Sequence, residues 1–196
     1  LHRYDPLKQS FVHFTHNKTD PHSLSTNSVR TIYQDSRGLI WIGTYGGGLN
    51  QFDSQKQRFG HVKHQPDNPT SLSHNLVWSF LEDSSGTLWV GTDEGLTQYS
   101  DKVSGFVDFK HQSPNNLNRG PVSGIQQDDA GNLWFGADGL FRYNPETGDL
   151  DHFKHQPSDL DSLSSDVISM LYIDKKGLLW IGTDGGGLNR FNSQQQ

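Results

Sequence analysis

Ten histidines and 22 acidic residues in a chain of 196 raise the prospect of metal or acid–base chemistry. Six histidines fall in pairs three residues apart: His13 and His16, His61 and His64, His152 and His155. Along a strand, side chains at i and i+3 point to opposite faces, so such a pair cannot close on one ion. Asp108 stands where a further copy of the pair would begin. The pairs read as duplicated surface residues, and neither a metal site nor a cofactor is expected. Cysteine is absent, which removes thiolate ligands and disulfides. There is no nucleophile elbow, no Walker loop and no H-E-x-x-H. The run Gly46-Gly47-Gly48 leads into a strand rather than a helix, so it is not a phosphate cradle.

A different set of residues recurs at regular spacing. Asp35-Ser36-Arg37-Gly38-Leu39-Ile40-Trp41-Ile42-Gly43-Thr44 returns in three further copies. In these, Asp83, Asp128 and Asp174 open the segment, Trp89, Trp134 and Trp180 lie six residues on, and Gly91, Gly136 and Gly182 follow. The tryptophans are 48, 45 and 46 residues apart, a propeller-range period. Asp-x-x-Gly suits a type I turn, with the aspartate bonding N–H groups ahead of it and the glycine taking positive φ. After the turn, Ile40 and Ile42 share one strand face, and Trp41 and Gly43 the other. Apolar bulk on both faces suits a blade held between two blades, and the glycine permits close approach by a neighbour. The recurrent Asp, Trp and Gly columns are therefore assigned to the repeat core, not to a sugar-stacking platform.

Four strands per repeat follow. The first strands begin at Val29, Val77, Val122 and Ile168, and the second strands carry the tryptophans. Gly-Leu marks the third strands at Gly48, Gly95, Gly139 and Gly187. The fourth strands are 59–64, 106–111 and 150–155. Polar connections then carry Ser23-Leu24-Ser25, Ser71-Leu72-Ser73, Asn116-Leu117-Asn118 and Ser162-Leu163-Ser164, whose leucines are read as plugs between blades. The expected fold is an all-β propeller segment of about four four-stranded antiparallel blades in one domain, 1–196. It divides into a partial blade at 1–16, repeats at about 17–64, 65–111, 112–155 and 156–191, and a tail at 192–196. Counted as fourth-first-second-third, four blades run from Phe11 to Phe191 and leave the strand Leu1–Asp5 over. That strand is expected to complete the last blade of a second copy, because open blade edges invite self-association. The glutamines at 194–196 are expected to fray.

Composition narrows the function. Net charge is −6 with scattered Lys and Arg, so no basic stripe is present to bind nucleic acid. No run of 18 apolar residues occurs. The start, Leu1-His2-Arg3-Tyr4, carries no signal-peptide pattern and begins in mid-repeat, as expected for a segment of a longer protein.

Binding is expected on the face of the variable loops. The loop between second and third strands changes from Tyr45-Gly46-Gly47-Gly48 to Asp93-Glu94-Gly95, Asp138-Gly139 and Asp184-Gly185-Gly186-Gly187. The second residue of the innermost strand is Arg30, Trp78, Ser123 or Ser169. Positions where the copies disagree escape the shared packing constraint. Arg30, Tyr45, Trp78, Asp93, Glu94, Asp138 and Asp184 are therefore the ligand-binding candidates, with Trp78 outside the core tryptophan register. The expected partner is a small ligand, with glycans among the classes considered.

The pattern D-x-x-G-x-[IL]-W-[IVF]-G-[TA], followed by Gly-Leu and an aromatic residue, resembles the two-component regulator propeller repeat. The resemblance covers nearly the whole chain. It implies a periplasmic ligand-sensing module whose membrane anchor and output domain lie outside these residues. The same motif is faintly similar to the Asp-box of sialidases, which is structural even there. Sialidase chemistry implies an arginine triad, a Tyr–Glu nucleophile pair and an acid. Arg3, Arg30, Arg37, Arg58, Arg119, Arg142 and Arg190 suggest no triad, since Arg37 lies in a turn on the opposite face and Arg119 precedes a strand. A lyase of the streptogramin-cleaving type would need a metal and a catalytic histidine on the loop face, where His74 alone is placed. Catalysis is not expected. The remaining alternative is a protein-interaction scaffold, for which the loop face would be flat and apolar instead of deep and polar.

Overall fold

The computed structural model describes residues 1–100, 104–109 and 120–191. Asn116-Leu117-Asn118, Arg119, residues 110–111 of one expected fourth strand, and the tail at 192–196 lie outside them. The first blade is β3 (Val29–Gln34), β4 (Ile40–Thr44), β5 (Leu49–Asp53) and β6 (Arg58–Val62). The second is β7 (Val77–Glu82), β8 (Leu88–Thr92), β9 (Gly95–Ser100) and β10 (Gly105–Asp108). The third is β11 (Gly124–Gln127), β12 (Leu133–Ala137), β13 (Gly139–Tyr143) and β14 (Leu150–Phe153). The fourth has three strands, β15 (Ile168–Ile173), β16 (Leu179–Thr183) and β17 (Gly187–Phe191). Ahead of them β1 (His2–Asp5) pairs with β2 (Ser10–His13). Every sheet pairs consecutive strands antiparallel.

The fourth-first-second-third count is thus corrected. Among the described residues each fourth strand pairs with the third strand before it, and none pairs with the first strand that follows. Nor is the strand at Leu1–Asp5 left over. It pairs with β2, and Leu1 and Phe14 pack on the first blade, with the Phe14 ring 5.1 Å from that of Phe52 and 5.5 Å from that of Phe59. Long connections separate fourth from first strands, whereas short turns make third and fourth strands a hairpin.

The Asp-x-x-Gly segments make the expected hairpins, with Gly38 at φ 82° and Gly131 at 86°. The aspartate does more than cap the turn. In all four blades its Oδ1 accepts two main-chain N–H groups of the turn. Its Oδ2 accepts the indole N–H of the tryptophan six residues on, at 2.7–3.0 Å. The indole can therefore be buried without an unpaired donor. Burial alone would raise the Asp35 carboxyl, but bonds from Trp41, Arg37 and Leu39 outweigh it and hold the group below its ordinary value. At Asp174 the bond from Trp180 is the main cause of the same lowering.

Successive blades interlock along the inner strands, with β3 beside β7, β7 beside β11 and β11 beside β15. Trp41, Trp89 and Trp134 meet Phe106, Tyr143 and Phe191 of the next blade, at 6.4, 6.4 and 5.1 Å between rings. The glycine two residues on receives that blade's first strand. A Cβ on Gly43 would meet the side chain of Val77 at 2.7 Å, and one on Gly91 would collide with the Val122 carbonyl. Leu72 is buried in a cluster that joins Trp41 and Leu49 to Val77 and Val90 of the following blade, and Leu163 joins Trp134 to Ile168 in the same way.

The paired histidines are not merely duplicated surface residues. His16, His64 and His155 lie beyond the strand ends, and the Nδ1 of each donates to the carbonyl of Leu24, Leu72 or Leu163, at 2.6, 2.6 and 2.5 Å. They fasten the plug loops. The second histidine of each pair lies past the end of its strand, so the strand-face argument does not describe these pairs.

Candidate ligand face

The inner strands start irregularly. The pairing of β3 with β4 skips between Val29 and Thr31, that of β7 with β8 between Val77 and Ser79, and that of β15 with β16 between Ile168 and Met170. Arg30, Trp78 and Ser169 are the residues passed over. A bulged residue has no cross-strand partner, and its side chain is re-aimed, which explains why these positions vary among the copies. Ser123 lies just before β11.

In three of the four blades the loop after the second strand is tied back to this spot. The N–H of Tyr45 donates to Ser28, that of Asp93 to Leu76 and that of Asp184 to Val167. Two loop residues are thereby held against bulged ones. The Arg30 guanidinium carbon lies 5.7 Å from the Tyr45 ring centroid and 4.3 Å from that of Trp78. The Trp78 indole N–H in turn donates to Asp93 at 3.2 Å.

These elements open on a cavity of about 810 Å³ spanning all four blades. Arg30 and Trp78 form its wall on the first two blades, and Asp138, Asp166 and Asp184 line it on the last two. Ser123, Ser169 and Thr183 add hydroxyls, with Ala137 and Ile168 as apolar surface. Lys154 bridges Asp138 at 2.7 Å and Asp166 at 3.8 Å. The hydrogen bond to Asp138 is the main reason its ammonium titrates above the ordinary lysine value. Asp184 makes no ion pair among the described residues.

Of the residues singled out by sequence, Arg30, Trp78, Asp138 and Asp184 line the cavity. Tyr45 and Asp93 stand behind the first two. Glu94 is exposed and is not part of the wall. Asp166 and Thr183 were not singled out. Asp166 fills the column of Asn27 and Asn75, whose side-chain oxygens accept the N–H of His16 and His64, and it accepts that of His155 at 2.6 Å. A carboxylate in an amide column was the available signal. His74 stays off the cavity wall and accepts the N–H of Leu76.

The sequence profile of the two component regulator propeller matches residues 23–46, 71–94, 116–139 and 162–185, each window running from the plug to the loop on this face. Among solved structures the chain is similar to the extracellular domain of BT4673 of B. thetaiotaomicron, described as a hybrid two component system. There the identity is 25% and the TM-score 0.77, over 98% of this chain and 25% of that one. The extracellular domain of BT3049 from the same organism gives 24%, 0.62, 95% and 30%. Virginiamycin B lyase from Staphylococcus aureus gives 14%, 0.60, 100% and 63%. The last two likenesses concern the fold alone. The chain spans about a quarter of the length of the BT4673 domain. No curated protein matches it. The repeat columns, the blades they build and the profile that matches all four copies agree: this chain belongs to the two-component regulator propeller repeat family.

Proposed function

We propose that this chain is a ligand-binding segment of an extracytoplasmic sensor propeller, periplasmic in a two-membrane cell, with no catalytic chemistry of its own. The observation that carries this reading is the cavity where bulged Arg30 and Trp78 face the aspartates of the last two blades. Its walls combine aromatic and apolar surface with an arginine, aspartates and hydroxyl groups, a mixture that suits a small hydroxyl-rich ligand, such as a saccharide. Trp78 supplies an aromatic face, and the serine, threonine and aspartate side chains supply directional hydrogen bonds. The likeness to extracellular domains of two-component receptors supports the placement outside the cytoplasm. The lyase shares only the fold, and His74, the histidine that the sequence places for such chemistry, is engaged in local main-chain bonding. A ligand bridging the first and last blades would couple their relative positions, which is what a sensor must transmit.

The test is a fluorescence titration of the chain with a panel of neutral and charged oligosaccharides, compared with Trp78→Phe. Saturable quenching that disappears in the variant is the expected result. Identical responses of both proteins, or none from either, would count against the reading.

A further inference from the structure

Resting on the ligand-site reading above, we infer that Arg30 selects a ligand carrying a carboxylate or sulfate, bound at the end of the cavity formed by the first two blades. Arg30 lies between Trp78 and Tyr45, at 4.3 and 5.7 Å from their ring centroids. Stacking uses the face of a guanidinium and leaves its five N–H donors unspent. Among the described residues no carboxylate or carbonyl accepts from them, although Arg30 lines the cavity. Arg142 shows what a structural arginine looks like in this protein. It too lies over an aromatic ring, that of Trp134 at 5.6 Å, but its guanidinium is closed on Asp151 at 2.6 Å.

The repeat offers a second argument. The positions equivalent to Arg30 hold Trp78, Ser123 and Ser169, so the blade itself does not require a cation there. The cavity's carboxylates are on its other side, where Lys154 offsets two of them. The cavity is therefore bipolar. It offers a fixed planar cation at one end, suited to two-pronged binding of an oxyanion, and acceptors for hydroxyl donors at the other. A hydroxyl-rich ligand with an acidic group matches both ends.

Calorimetry with three probes tests this: glucose, glucuronate and glucose 6-sulfate. The expected result is about tenfold tighter binding of a charged probe than of glucose. Comparing the two charged probes shows which anion is preferred. Arg30→Gln should abolish that preference, Arg30→Lys should keep part of it, and salt should weaken only the charged probes. Thermal melts establish that both variants fold, which the exposed position of Arg30 favours. Equal affinity for all three probes, or a preference that survives Arg30→Gln, would overturn the role of Arg30 and leave the ligand site standing. Absence of binding by any probe to the native chain would overturn both.

Discussion

Asp35 is 4% exposed, and its carboxylate accepts from two turn N–H groups, the Trp41 indole and the Arg37 guanidinium. Replacing it with alanine leaves a buried indole N–H and two turn N–H groups without their acceptor. Asp35→Ala should destabilise the chain by about 2–3 kcal/mol at neutral pH, measured by urea unfolding. The lowered carboxyl fixes the sign with pH. Its stabilisation is present above the unfolded value of 3.8 and is lost as pH falls through that value toward the native one. The variant should therefore lose less stability on acidification than the native chain, and an equal loss would refute the link. The turn was legible in sequence, because Asp and Gly at its ends have local reasons. The indole bond was not, since the spacing of six names both partners without saying that the hairpin folds one over the other. The same limit hid the bulge at Arg30. Disagreement among the copies marked the position, but the skipped pairing behind it arises only when two strands are laid together.

At the level of elements, the plug loops join the blades. Leu72 is 1% exposed between two blades, and its carbonyl is fastened by His64. Leu72→Ala should cost about 2–5 kcal/mol, toward the upper end because two interlocked sheets cannot collapse into the space. His64→Ala should cost only about 1 kcal/mol, since the loop loses one bond and no core volume. Urea unfolding of both variants tests the order, and an equal or reversed ranking would mean that the loop is held by something other than its leucine. Period and alternation made the strands and plugs readable, because each copy repeats the same packing demand. The paired histidines do lie at the surface, but the hold of the second one on the plug was not legible, because its partner carbonyl lies eight residues on, past the end of the strand. Blade grouping was misjudged because sequence order does not say which long connection breaks the sheet.

At the scale of the whole molecule, the described blades end in two uncovered faces. Ile32 is 55% exposed on the first blade, and Met170, Tyr172 and Leu188 are 58%, 54% and 66% exposed on the fourth. At internal positions the residues equivalent to Ile32 and Tyr172 meet each other, as the Phe80 and Tyr33 rings do at 6.2 Å. The two faces are therefore complementary in kind, and we propose that copies of this chain meet head to tail through them. A full blade-on-blade contact is obstructed, however. β1 already holds the third-strand place in front of the first blade, through Leu1 and Phe14, and β17 of an incoming fourth blade would need the same place. Association through these faces should accordingly be weak, should grow with concentration and should not close into a ring of fixed size. Light scattering over a concentration series should show a rising average mass that falls back in Ile32→Lys and Tyr172→Lys. A monomer at every concentration would mean that the exposed faces are tolerated as they stand. A single concentration-independent oligomer would mean that β1 and β2 leave the first blade to make room, and both lysine variants would then report on a different interface.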